Sequence, residues 1–337
     1  MRSHRDNPSG LPAAQLEPAA PRVDVTVCIL NWNGASRLES CLRSLRDASG
    51  SKQIHYEVIV VDNGSTDGSV ELVRRTFPDV RLICNSRNVG FAAGNNQAIK
   101  QGRGRYFLLL NNDTLVHDNC LGQMVQELET HREVGIVGGR LVSVDGSTQI
   151  LYYRRRLPSL SIFLRDLLWI DRIWPGNPWS WEAEMRPWNV EEASDLAQVP
   201  GACMMIRREL FEQVGLLDES YPCSYEDVDL CTRCLRAGWR VRYIPDATVT
   251  HLGAATFKTM GWADKSSLRF AGLRVYVRKH LSRRDQALFK VMFTMILLAR
   301  LPIVLALEIL TSGSRSHRWQ GTTRTYLSVL RGTRYDA

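Results

Sequence analysis

At 337 residues, with 44% hydrophobic and 23% charged side chains, the chain has an ordinary globular composition and room for one large α/β domain plus an extension. The net charge of +8 is unevenly placed: from Gly261 onward, 14 Lys and Arg face 4 Asp and Glu, so the first 260 residues carry a balance near zero. The basicity therefore belongs to the last 77 residues and points them at an anionic partner, lipid or phosphorylated ligand; no nucleic-acid partner is expected.

Residues 1–21 mix Pro, Ala, Ser and charges without periodicity and are expected to form a disordered tail with no secretory signal. The eight cysteines have no framework spacing and read as buried free thiols of a reducing compartment. Cys231 and Cys234 make one C-x-x-C, but no second pair lies at zinc-ribbon distance, and both are expected to face the core of one helix.

Val23 to Leu30 reads as a first strand, followed by Asn31-Trp-Asn-Gly34. Ser36 and Glu39 have capping-box spacing, with Leu38, Cys41, Leu42 and Leu45 on one helical face. Glu57 to Val61 is a second buried strand, ending in Asp62-Asn-Gly-Ser-Thr-Asp67 ahead of a helix with Val70, Val73 and Phe77. A carboxylate at that strand end can take the imino N–H of a pyrimidine base or a ribose hydroxyl. It can also simply cap the helix, although Ser65 to Asp67 can do that without it.

Val80 to Cys84 is a third strand, and Asn88-Val-Gly-Phe-Ala-Ala-Gly-Asn-Asn96 opens a further helix. Tyr106-Phe-Leu-Leu-Leu-Asn-Asn-Asp-Thr114 is then a strand buried on both faces that switches abruptly to polar residues. Asp113 stands where open α/β sheets bind ligands and can hold a hard divalent cation, Mg²⁺ or Mn²⁺, against a diphosphate. The alternative is an Asp in the turn after a strand. The β-α alternation with short links predicts a doubly wound, mostly parallel sheet. No G-x-G-x-x-G and no Walker loop is present, so dinucleotide and P-loop readings lose their fingerprints.

A helix around Leu121 to Leu128 and a strand at Val134 to Val142 follow. Residues 154–196 lose periodicity, and five of nine tryptophans (169, 174, 179, 181, 188) gather in twenty residues, as either a wall for sugar or polyprenyl or a loop pinned to the sheet. Val199 to Ile206 returns to strand character, and Phe211 to Leu217 leads into Tyr221-Pro-Cys-Ser-Tyr-Glu-Asp-Val-Asp-Leu230. Glu226, Asp227 and Asp229 crowd a helix start. Ser224 with Asp227 has capping-box spacing, yet three carboxylates exceed capping needs, and crowding raises the pKa of at least one, as a general base requires. The strand Val241 to Thr250 closes on His251, a metal-ligand candidate or a structural histidine.

Taken in order, Asn31-Trp-Asn-Gly34, Val60-Val-Asp-Asn-Gly-Ser-Thr-Asp67, Asn88-Val-Gly90, Asn111-Asn-Asp113, Glu226-Asp-Val-Asp-Leu230 and His251 resemble the inverting nucleotide-sugar glycosyltransferases of the GT-A fold (family 2, the bacterial rhamnosyltransferase and galactofuranosyltransferase group). The resemblance covers about Val23 to Thr256. It implies Asp62 at the donor's base, Asn31, Asn88 and Asn112 with Asp113 around the donor, and Asp113 and His251 on the divalent metal. It also implies Asp227 as catalytic base with Glu226 beside it. Asn111 departs from the Asp-x-Asp signature and removes one charge near the diphosphate. The implied partners are a nucleotide-diphosphate sugar donor and a lipid-linked or glycan acceptor.

Residues 22–256 are expected to form the GT-A domain, divided at 115 into nucleotide and acceptor halves, and 257–337 a helical extension. Its apolar run Phe289 to Leu310 is long enough to span a bilayer but contains Lys290, Arg300, Pro302 and Glu308. A helix lying in the interface of an anionic membrane, on its cytoplasmic face, fits these charges better; packing on the domain or in a homo-oligomer is the alternative. Two functional rivals remain: a nucleotidyltransferase, which should carry a basic loop after the first strand, and a non-catalytic membrane scaffold, which should have lost Asp113 or Asp227.

Overall fold

A computed structural model describes residues 23–49, 54–168, 170–174, 176–177, 188–253 and 262–310, with Thr323 and Leu327. The expected N-terminal tail, Trp169, Trp179, Trp181 and the basic residues Arg315 and Arg318 lie outside these.

The first four strands are β1 (Val25–Asn31), β2 (Tyr56–Asp62), β3 (Arg81–Cys84) and β4 (Tyr106–Asn111), joined by α1 (Ala35–Ser49), α2 (Ser69–Thr76) and α3 (Phe91–Gln101). Val27, Ile29, Ile59, Val60, Leu108 and Leu109 are buried, as β-branched and aliphatic runs covered on both faces must be. Then come β5 (Thr114–Val116), α4 (Cys120–Thr130), β6 (Val134–Val142), a 3-10 turn (Ile150–Tyr152), α5 (Leu160–Leu167), α6 (Ile170–Ile173) and β7 (Ser194–Asp195). The chain continues through β8 (Cys203–Arg207), α7 (Arg208–Val214), α8 (Glu226–Arg236), β9 (Arg240–His251), α9 (Trp262–His280) and α10 (Arg283–Leu310).

The strands order as β3-β2-β1-β4-β8-β6-β9-β5, with β7 beside β9. β1 to β4, β6 and β9 run one way, giving the expected mostly parallel α/β sheet. β8 runs against both β4 and β6, a reversal the residue pattern does not reveal because a strand buried on both faces looks alike in either direction.

Two local expectations are corrected. Ser36 and Glu39 form no capping box: α1 begins at Ala35, whose N–H is taken by the Asp67 carboxylate at 2.9 Å, while Glu39 pairs with Arg43. Nor does Ser224 cap α8, since its φ of 67° is not the extended backbone of a cap. The Asp227 carboxylate instead takes the N–H of Val228.

Contacts divide the chain into two compact units. The first comprises residues up to Leu157 with Asn189–Glu219 and Glu226–Gly253, and holds the sheet. The second comprises Pro158–Trp188, Ser220–Tyr225 and the chain from Ala254. Within the second, α5 lays Phe163 edge-on against Tyr276 of α9 and Phe289 of α10, each at 6.0 Å. Phe270 and Phe293 meet at 5.5 Å. The stretch that looked aperiodic in sequence thus contains two short helices among its described residues.

Candidate active site

The carboxyl ends of β1, β2 and β4 stand side by side, because Asn31 pairs with Asp62 and Leu30 with Asn111 in the parallel ladders. Their polar ends form one relay. Asn112 Nδ2 donates to Asn31 Oδ1 at 2.7 Å, and Asn31 Nδ2 donates to Asp62 Oδ2 at 2.9 Å. The Ser65 N–H donates to Asp62 Oδ1 at 2.8 Å. Asn31 and Asp62 are buried, and this hydrogen bonding satisfies polar groups that would be costly to bury unpaired. Gly34 fits over the relay because it lacks a side chain: a Cβ there would meet Asn112 Nδ2 at 2.5 Å and Asn31 Oδ1 at 2.8 Å.

Asn88 enters the same region from the next loop. Its Oδ1 accepts from Asn63 Nδ2 at 3.1 Å and from the Gly90 N–H at 2.9 Å. Gly90, at φ 90°, turns the chain into α3 with a backbone that other residues rarely adopt.

Asp113 and His251 are 138 positions apart in sequence and adjacent in space. Antiparallel pairing of β5 with β9 sets Thr114 opposite His251, and the Leu252 N–H donates to the Asp113 carbonyl at 2.9 Å. His251 Nε2 comes within 3.5 Å of Asp113 Oδ1, with both residues buried. On its other side, His251 Nδ1 lies 2.8 Å from Gln149 Oε1, and the Tyr152 ring stands edge-on at 5.6 Å. No group of three or more His, Cys, Asp or Glu able to hold a metal occurs among the described residues. One carboxylate and one imidazole facing each other do fit a divalent cation whose remaining positions are filled by diphosphate oxygens and water.

The third cluster lies at the start of α8. Asp227 accepts the Gly201 N–H at 3.2 Å and the Val228 N–H at 2.8 Å, and Gln198 Nε2 lies 3.4 Å from it. Gln198 Nε2 also donates to the Tyr152 carbonyl at 3.1 Å. Burial, reinforced by the neighbouring Asp227 carboxylate, pushes Glu226 up to about 8, and its Oε2 is buried with no hydrogen-bond partner. Burial raises Asp227 as well, opposed by the two amide N–H groups and by the charge of Arg154. The pair is asymmetric in its surroundings: burial raises both carboxyls, and Asp227 accepts two backbone N–H groups that oppose its rise.

The third acid of the cluster is structural. Asp229 forms a buried ion pair with Arg233 at 2.7 Å, and Arg233 donates to the carbonyls of Val214, Gly215 and Leu216. Cys231 and Cys234 are buried thiols that burial pushes far above their ordinary range. Sequence reasoning missed Gln149, Tyr152 and Gln198. Each acts through a partner distant in sequence, so no local spacing marks it.

A mostly parallel sheet with β8 reversed within it, asparagine and aspartate at its strand ends and an Asp-His pair beside them is the architecture expected of the GT-A fold. Residues 26–215 match the profile described as glycosyl transferase family 2, and residues 184–328 that of glycosyl transferase family group 2. The chain belongs to glycosyltransferase family 2. It is similar to an N-acetylglucosaminyl-diphospho-decaprenol L-rhamnosyltransferase of Mycobacterium tuberculosis, 29% identical over 67% of this chain and 75% of the relative. It is also similar to the O-antigen biosynthesis protein RfbC of Myxococcus xanthus, 30% identical over 64% of this chain and 16% of the relative. Among solved structures, a mannosyltransferase from Pyrobaculum calidifontis in complex with GDP-Man and Mn²⁺ has 18% identity and a TM-score of 0.53. The match covers 94% of this chain and 88% of that one, a likeness of fold.

Proposed function

We propose that this chain transfers a sugar, rhamnose-like or another hexose, from a UDP- or dTDP-sugar to a lipid-linked or polysaccharide acceptor, with inversion, in cell-envelope glycan assembly. The observation that carries the reading is the buried, asymmetric Glu226–Asp227 pair in a unit that also contains the Asp113–His251 pair and the Asn112–Asn31–Asp62 relay.

In this mechanism the relay holds Asp62 toward the donor's base or ribose, and Asn88 fixes the loop beside it. Asp113 and His251 would hold Mg²⁺ or Mn²⁺, which when bound supplies Lewis-acid stabilisation of the charge growing on the departing diphosphate. Asp227 takes the proton of the acceptor hydroxyl. That oxygen forms its bond to the anomeric carbon from the face opposite the departing diphosphate, the bond to the diphosphate breaks, and the bonding electrons leave with the nucleoside diphosphate.

A lipid-linked acceptor is favoured by the M. tuberculosis relative, whose name contains a diphospho-decaprenol. Arg154, Arg155 and Arg156 offer three successive cations for an acceptor diphosphate, and Arg154 is near enough to Asp227 to act on its charge. The expected location is the cytoplasmic face of the membrane, peripherally attached through α10. The supporting observation is that Leu288, Val291, Met295, Leu298, Ile303 and Ile309 are exposed on this helix while Arg300 is buried.

The test is donor hydrolysis by the full chain across a panel of UDP-, dTDP- and GDP-sugars. A UDP- or dTDP-hexose should be cleaved fastest, and no cleavage of any donor, with or without acceptor, would contradict the reading.

A further inference from the structure

Gln149 meets His251 at two points. Its Nε2 donates to the His251 carbonyl at 2.8 Å, and its Oε1 lies 2.8 Å from the imidazole Nδ1. A backbone carbonyl can only accept, so the amide nitrogen must face the carbonyl and the amide oxygen must face the ring. The flipped amide would set two oxygens 2.8 Å apart. An amide oxygen is likewise only an acceptor, so Nδ1 carries a proton. Neutral His251 is therefore the Nδ1–H tautomer, and its Nε2 lone pair is turned toward Asp113 Oδ1, 3.5 Å away. When His251 is neutral, its Nε2 lone pair and the Asp113 carboxylate converge in a buried place, an arrangement suited to a cation between them.

Gln149 is itself held. Its own N–H donates to the Leu141 carbonyl at 2.9 Å, and Nε2 lies 3.2 Å from Ser143 Oγ. It immediately precedes the 3-10 turn Ile150–Tyr152, whose Tyr152 carbonyl in turn anchors Gln198 beside Asp227.

We infer that Gln149 is a positioning residue that locks His251 in the Nδ1–H tautomer and so presents Nε2 as a ligand for a divalent cation at Asp113. The inference rests on the metal reading above and adds the group that prepares the ligand. Partners of this kind typically change metal affinity by about 10- to 100-fold.

The test uses the full chain with Mn²⁺ as probe, in the presence of UDP or dTDP, free Mn²⁺ being read by electron paramagnetic resonance. Wild type should bind, and His251→Ala should lose most of that affinity. Gln149→Met, which keeps the size and removes both hydrogen bonds, should weaken Mn²⁺ by about 10- to 100-fold. Gln149→Glu, which keeps an acceptor for Nδ1–H but sets an oxygen against the His251 carbonyl, should bind Mn²⁺ with an affinity between those of wild type and Gln149→Met. If His251→Ala weakens binding and Gln149→Met does not, the role of Gln149 is overturned and the metal reading stands. If wild type does not bind, or His251→Ala binds as wild type does, both fall. A second readout needs no activity and no folded variant: imidazole ¹⁵N resonances of His251 in the Mg²⁺- and nucleotide-loaded wild type should show the proton on Nδ1. A proton on Nε2 would overturn the inference.

Discussion

At the scale of single residues, two adjacent acids with different surroundings carry the account. Asp227 receives two backbone N–H donors, while Glu226 leaves Oε2 buried without a partner. Burial pushes Glu226 from its ordinary 4.5 up to about 8. Between those values the folded chain keeps a proton that the unfolded chain has released. The contribution to stability is therefore whole below about 4.5 and is lost as pH rises through about 8. Glu226→Gln cannot ionise, so wild type should lose on the order of a few kcal/mol relative to it over that interval. Urea unfolding midpoints at several pH values check this, and curves that stay parallel would assign the proton elsewhere. The asymmetry was only half legible in the sequence. Crowded carboxylates at 226, 227 and 229 announced a raised pKa. Which one rises depends on Gly201, Gln198 and burial, none of which follows from local spacing.

At the scale of elements, α8 is fixed by one guanidinium. Arg233 neutralises Asp229 within the helix and takes three carbonyls at and just beyond the end of α7, so both helices share one anchor. Breaking a buried pair by removing one partner costs about 3–5 kcal/mol, because the remaining charge is left uncompensated. Asp229→Ala should therefore lower the denaturant midpoint by that order, whereas removal of the exposed Arg43–Glu39 pair should change it by less than about 1 kcal/mol. Equal, small losses in both variants would mean that Arg233 does not hold the two helices. The four β-strands up to Asn111 were legible, because buried parallel strands read as apolar runs closed by polar turns. The reversal of β8 and the three-residue β5 were not. β5 is too short to carry a pattern, yet its pairing with β9 is what brings Asp113 to His251.

At the scale of the whole molecule, the charge gathered from Gly261 onward and the exposed apolar face of α10 support membrane attachment. The 28-residue helix is long and apolar enough to cross a bilayer by composition, with 28% of its most apolar window buried. Interfacial burial contributes about 0.8 kcal/mol per CH₂ and each nearby cation about 1 kcal/mol on anionic lipid. The full chain should thus sediment with anionic vesicles at low salt and weaken without full release at high salt. The double substitution Met295→Glu, Leu298→Glu on the exposed face should leave the chain in the supernatant with donor affinity unchanged. Wild-type chain remaining in the supernatant at low salt would make the helix a packing or dimerisation element. The central claim is that Asp227 drives inverting sugar transfer, and sugar transfer to a prenyl-diphosphate-linked acceptor, wild type against Asp227→Asn, tests it most directly. The expected result is a product whose anomeric configuration is opposite to the donor's, with turnover in Asp227→Asn lower by at least about a hundredfold at unchanged donor affinity. Wild-type turnover in Asp227→Asn, or a product that keeps the donor's configuration, would contradict it.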